Sequence, residues 1–268
     1  HAEYETGSAV TCLSYCGYAI YPGKKTLSAL PATYVESESE ADTLEITLVD
    51  SLTGLKIIIS YSVFEDYDVI TKSVHAVNEG TQPIDVQSIL SSTTYLFDKN
   101  YEFVHLTGAW ARERHIQKQP LMNGTMQIDS KRVASGHIHS PFLALARPWA
   151  TENQGEVYGY SFVYSGNFIM QAETNQQDVV RVNIGINPFG FHWLLEPGEA
   201  FQAPEVVMTF SDSGFGTMSR RFHRIYRQRL CRGKYRDIER PVLINNWEAT
   251  YFDFNEEKIL NIAEKARD

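Results

Sequence analysis

A chain of 268 residues with 43% apolar and 21% charged content has the composition of a folded globular protein, long enough for one large core or two smaller ones. A formal charge of -9 argues against a nucleic-acid binder, because a phosphate-tracking surface needs an excess of Lys and Arg. No apolar run reaches the length of a membrane-spanning helix, and three cysteines, Cys12, Cys16 and Cys231, suit free thiols in a reducing, cytoplasmic setting better than a disulfide framework.

Cys12 and Cys16 read as strand residues, since no second ligand pair at finger-like spacing follows; no metal and no cofactor is expected. Residues 44–49 and 55–63 are rich in β-branched side chains, and Asp50-Ser51-Leu52-Thr53-Gly54 between them supplies turn chemistry, so the pair reads as a hairpin. Alternation continues through 68–77 to the turn at Asn78-Glu79-Gly80, with further short runs at 84–90, 157–164, 168–172, 179–186 and 203–210. Many strands with little helical period predict an enlarged sandwich or barrel. Asn123-Gly124-Thr125 matches a glycosylation acceptor, but such triplets arise often by chance.

The pattern changes near Ser213, where Met218, Phe222, Ile225 and Tyr226 fall on one face of a helix placed near 216–231. Its other face belongs to a stretch, 220–236, with seven Arg, one Lys and no acid. This reads as a solvated face paired with acidic neighbours, or else as a basic binding face. Gly233 and Pro241 bracket a linker; Val242-Leu243-Ile244 then predicts a buried strand, 248–255 a loop and 256–266 a helix with Glu256 and Glu257 in its first turn. A lone strand with its helix cannot close a sheet, so this β-loop-α unit is expected to open a larger α/β domain. The expected organisation is a β-sandwich over 1–238 and the first unit of an α/β domain over 239–268, its free edges inviting self-association.

A glycosidase needs two carboxylates flanking the scissile bond, and no pair among the acids is assignable; no nucleophile elbow, HExxH motif or phosphate loop occurs either. The conspicuous candidates are aromatic. Trp110 sits between small residues and the charged run Arg112-Glu113-Arg114-His115, a setting for an indole face open to a sugar ring or for a core indole with its N–H satisfied. Trp247, in Asn245-Asn246-Trp247-Glu248, follows the predicted strand at the end that carries active sites in (β/α)8 enzymes.

Five segments in order, YPGKKTLSALPATY from Tyr21, LTGAWARERH from Leu106, GYSFVYSGNF from Gly159, FGFHWLLEPGEAFQAPE from Phe189 and NNWEATYFDFNEEKI from Asn245, resemble the bacterial α-galactosidases of glycoside hydrolase family 36. The resemblance implies a mainly β fold: a large β-supersandwich followed by the first β/α unit of a truncated (β/α)8 barrel. It also implies retaining hydrolysis of terminal α-1,6-galactosyl residues from melibiose and raffinose-type oligosaccharides. The nucleophile and acid/base aspartates of such an enzyme match nothing here, so this chain alone is expected to be inactive. Trp110 and Trp247 match the family's substrate contacts. His192, Trp193 and the Glu196-Pro197-Gly198-Glu199 turn also match, and these read as structural. Family members form tetramers, which implies a homo-oligomer. The competing expectation is a carbohydrate-binding or oligomer-assembly β-sandwich module without catalysis.

Overall fold

In the computed structural model, residues 1–267 are described; Asp268, the end of the predicted second domain, lies outside them. The strands are β1 (Ala2–Tyr4), β2 (Ser14–Pro22), β3 (Asp42–Val49), β4 (Leu55–Phe64), β5 (Val69–Asn78), β6 (Ile84–Val86), β7 (Leu90–Leu96), β8 (Glu102–Ala109) and β9 (Arg112–Pro120). They continue with β10 (Gly124–Asp129), β11 (His139–Ala146), β12 (Val157–Val163), β13 (Phe168–Thr174), β14 (Val180–Ile186), β15 (Trp193–Leu195), β16 (Ala200–Gln202) and β17 (Glu205–Ser211). The helices are α1 (Gly214–Arg229), α2 (Trp247–Thr250) and α3 (Glu256–Arg267).

The chain divides into two compact units, His1–Cys231 and Arg232–Asp268. In the first, a ten-stranded sheet runs β2-β3-β4-β5-β17-β12-β11-β8-β9, with β16 also pairing β5. A four-stranded sheet, β10-β13-β14-β7, covers one face through Phe168, Met170, Val182 and Ile184, which meet Phe103, Leu143, Leu145 and Phe162. A three-stranded sheet, β1-β6-β15, packs Ile84, Val86 and Leu195 on Leu55, Val74 and Ala76. Across the large sheet, α1 presses Met218, Phe222 and Ile225 against Ala144, Ala146, Val157 and Val207. Strand β11 is therefore buried on both faces at its end, which is why Leu143 to Ala146 read as an unbroken apolar run.

Local chemistry fixes these elements. In the β3–β4 turn, Asp50 Oδ1 accepts from Leu52 N at 3.0 Å, and Asp50 N donates to Leu55 O at 2.9 Å. Gly54 there adopts φ 76, and a Cβ would stand 2.4 Å from Gly80 Cα, so only glycine fits. The predicted amphipathic face of α1 is the buried one, and two of its arginines pair with acids: Arg221 with Asp68 at 2.8 Å and Arg229 with Glu40 and Glu36. Pairing with acidic neighbours is thus seen for Arg221 and Arg229.

Four expectations need correction. Val242-Leu243-Ile244 is irregular and exposed, at 84%, 89% and 44%, because no described strand pairs with it and an unpaired segment has no ladder bonds to define a strand. The predicted loop over 248–255 begins as the short helix α2, starting one residue earlier. The single strand over 84–90 is two, β6 and β7, which serve different sheets; between them Gln87 N and Ser88 N both donate to His1 O. Cys16 lies in β2, but Cys12 precedes it, its backbone N held by Asp50 Oδ2 at 2.9 Å.

Candidate functional site

Trp110 occupies the tip of the β8–β9 hairpin, with only Ala111 between it and Arg112. Ala111 takes a left-handed φ of 58, and the register shifts between Thr107 and Ala109. Gly108 is required at that bulge: a Cβ would lie 2.4 Å from Arg112 O. The geometry turns the indole outward, 86% exposed, which removes the core reading. Strand β9, exposed along its length, is a sheet edge guarded by Arg112, Glu113, Arg114, His115 and Lys118. An exposed aromatic plane beside charged hydrogen-bonding groups is suited to stacking on the C–H face of a pyranose.

The hairpin base holds two histidines that sequence reasoning missed. His105 and His139 lie on adjacent strands with ring centroids 5.6 Å apart, and neither Nδ1 has a hydrogen-bond partner. Burial, then the neighbouring His139, holds the His105 imidazole below its usual range. Burial does the same for His139, against an opposing pull from Asp129. Both rings thus favour the neutral form. Only the adjacency of β8 and β11 brings them together, so no spacing in the sequence could have signalled the pair. Sequence reasoning also passed over Trp149, 59% exposed in the turn after β11, for which Pro148-Trp149 was the available signal.

In the second unit, Trp247 opens α2 and is 43% exposed. Its ring meets Tyr251 edge-on at 5.4 Å and Phe252 at 4.9 Å. Asn245 Oδ1 accepts from Trp247 N at 3.0 Å, and Asn246 Nδ2 donates to Thr250 Oγ1 at 2.8 Å, so the asparagines shape the turn. Asn255 Oδ1 caps α3 by accepting from Lys258 N at 2.9 Å. Trp247 therefore stands at a helix start rather than the predicted strand end. Trp110 and Trp247 belong to different compact units.

The most buried acids are occupied structurally. Glu205 binds Lys24 and Thr33, and Asp50 caps its turn. No group of three or more potential metal ligands occurs among the described residues. His192 Nδ1 contacts Asp85 at 3.0 Å, and the 196–199 turn closes through Glu199 N to Glu196 O while Gly198 N donates to Asn78 O. These contacts fit the structural reading given to that segment.

A many-stranded antiparallel sandwich that presents an indole at a hairpin tip, its buried carboxylates engaged in holding the backbone, defines a β-sandwich domain with an open aromatic surface. The model of the glycosyl hydrolase family 36 N-terminal domain matches residues 1–196, and the melibiase model matches residues 200–268. The chain belongs to glycoside hydrolase family 36. It is 53% identical to α-galactosidase AgaA of Geobacillus stearothermophilus, over 98% of this chain and 36% of that protein. It is 40% identical to α-galactosidase Mel36A of Lactobacillus acidophilus, over 97% of this chain. The crystal structure of the Geobacillus AgaA enzyme superposes with a TM-score of 0.97, covering 99% of this chain and 37% of the other, and a substituted form of it was crystallised with raffinose. The chain thus spans about a third of the length of the relatives it matches. The melibiase match begins at residue 200, yet β17 and α1 are integral to the first compact unit.

Proposed function

We propose that this chain is the β-sandwich region and barrel entry of an α-galactosidase that releases terminal α-1,6-linked galactose from raffinose-type oligosaccharides with retention. The observation that carries this reading is the 53% identity to a protein named as an α-galactosidase, extending over 98% of the chain. In it the nucleophile and acid/base lie outside the 268 residues, and the domains are 1–238 and 239–268, the latter entering a (β/α)8 barrel. Trp110 and Trp247 are each substrate contacts in this reading; the exposure of the two indoles, 86% and 43%, supports those roles. Three free cysteines support a cytoplasmic setting, and no described helix is long and apolar enough to cross a membrane. Homo-oligomerisation is supported by β2, an uncharged edge strand with Tyr15, Tyr18 and Ile20 each more than 60% exposed.

The test is hydrolysis of a chromogenic α-galactoside by the 268-residue chain beside its full-length parent. Activity in the parent alone supports the reading. Activity in the isolated chain places a catalytic pair within it, and activity in neither removes the α-galactosidase assignment. A second reading, a sugar-binding module without catalysis, is favoured by the outward indole of Trp110 and would leave the parent inactive while the chain still binds galactose.

A further inference from the structure

The half of the ten-stranded sheet farthest from the Trp110 hairpin carries a polar cleft of about 270 Å³. Register sets Thr43, Ser62 and Thr71 in one row across β3, β4 and β5, and Glu45, Ser60 and Ser73 in the next. Thr43, Ser62, Thr71 and Ser73 expose 6% of their surface or less. Sheet faces so deeply covered ordinarily carry apolar side chains. Here the row is hydroxylic, and only part of it is satisfied internally. Thr43 Oγ1 and Ser62 Oγ lie 2.8 Å apart, and Thr43 Oγ1 donates to Gly23 O at 2.6 Å. Thr71 and Ser73 line the cleft, and their hydroxyls are not among the sealed-off polar atoms left without a partner, so they open onto it. Hydroxyls that open onto a cleft take their hydrogen-bond partner from it, water or a ligand that replaces water.

The rim decides the chemistry of that partner. Lys24 is neutralised by Glu205 at 2.8 Å, and Lys25 by both carboxylate oxygens of Glu45. The cleft therefore offers an anion no uncompensated charge. An apolar ligand would strand the hydroxyls. His75, oriented through Nδ1 by Gln202 Oε1 at 3.1 Å, keeps Nε2 for a ligand. We propose that this cleft binds a neutral polyhydroxylated ligand, a saccharide, at a site separate from Trp110. Its volume, near the lower limit of ordinary small-molecule sites at roughly 300 Å³, suits a single sugar ring. The site does not depend on the α-galactosidase reading, since β2–β5 and β8–β9 occupy opposite ends of the sheet.

The test is a titration of the chain, carrying isotope-labelled threonine methyls, with galactose and with raffinose. Saturable shifts at Thr43 and Thr71 are expected. Combined Thr71→Val and Ser73→Ala replacement should weaken binding about tenfold, read at Thr43, while Trp110→Ala leaves it unchanged. Neither replacement removes a hydrogen bond within the protein, and the titration of the unaltered chain needs no variant. Absence of shifts at these methyls, meaning that water alone satisfies the hydroxyls, overturns the proposal. So do shifts undiminished by the double replacement.

Discussion

Lys24 Nζ lies 2.8 Å from Glu205 Oε2, with the two side chains 5% and 1% exposed. Glu205 Oε1 also accepts from the backbone N and the hydroxyl of Thr33, each at 2.8 Å, and Lys24 Nζ donates to Thr33 O at 2.8 Å. One carboxylate at the start of β17 thereby anchors the segment after β2. Removing one partner leaves the other charge buried and unpaired, so Lys24→Met or Glu205→Gln should each cost about 3–5 kcal/mol. The double replacement should cost less than the sum of the two. Urea unfolding of the four proteins of the cycle measures this, and additive costs would show that the two groups do not act as a pair.

The contact between β12 and α1 leaves no room for a methyl group. A Cβ on Gly159 would stand 2.7 Å from Phe222 Cε2 and 2.9 Å from Met218 Cγ. Gly159→Ala should therefore destabilise by about 1–3 kcal/mol through overpacking. Gly159→Ala combined with Met218→Ala should cost less than the sum of the two single replacements if crowding is the cause. Thermal melts of both variants give the comparison.

Trp110→Ala should leave folding almost untouched, within about 0.5 kcal/mol, because the side chain is 86% exposed. Under the proposed α-galactosidase function, the same change in the full-length protein should raise KM for raffinose about tenfold. A large drop in melting temperature would instead show that the indole supports the hairpin.

The histidine pair should make stability fall in mild acid. His105 and His139 are both held below the ordinary value of 6.5, so between that value and their folded values the unfolded chain binds more protons. Their contribution is present above pH 6.5 and is lost as pH falls through that window. Glu40, held below 4.5 first by its hydrogen bond to Arg229, adds a second loss as pH falls below that value. His105→Phe should flatten the first step and Glu40→Gln the second. Denaturant midpoints across the pH range would reveal either, and an unchanged first step in His105→Phe would clear the histidines.

Much of the strand order was legible because turn residues punctuate it. Asp50 to Gly54 announced the β3–β4 hairpin, and the spacing of Met218, Phe222 and Ile225 announced α1. Strand β9 was not legible: its residues alternate with nothing, since the strand is wet on both faces. Residues 242–244 misled in the opposite direction, since an apolar β-branched run becomes a strand only where a neighbour supplies a ladder. The candidate site was half legible. The sequence marked Trp110 by its small and charged neighbours, but its composition favoured a core indole over the outward one.

The sequence by itself determined what local spacing encodes: the turns, the amphipathic helix, the sandwich class and, through five ordered segments, the family. The tertiary structure alone decided the outward indole of Trp110, the His105–His139 pair, the burial of Lys24 with Glu205 and the hydroxyl rows of β3, β4 and β5. All but the first depend on residues far apart in the chain meeting through the register and packing of the sheet. Register is set by the whole sheet and its packing, and no local window of sequence contains it.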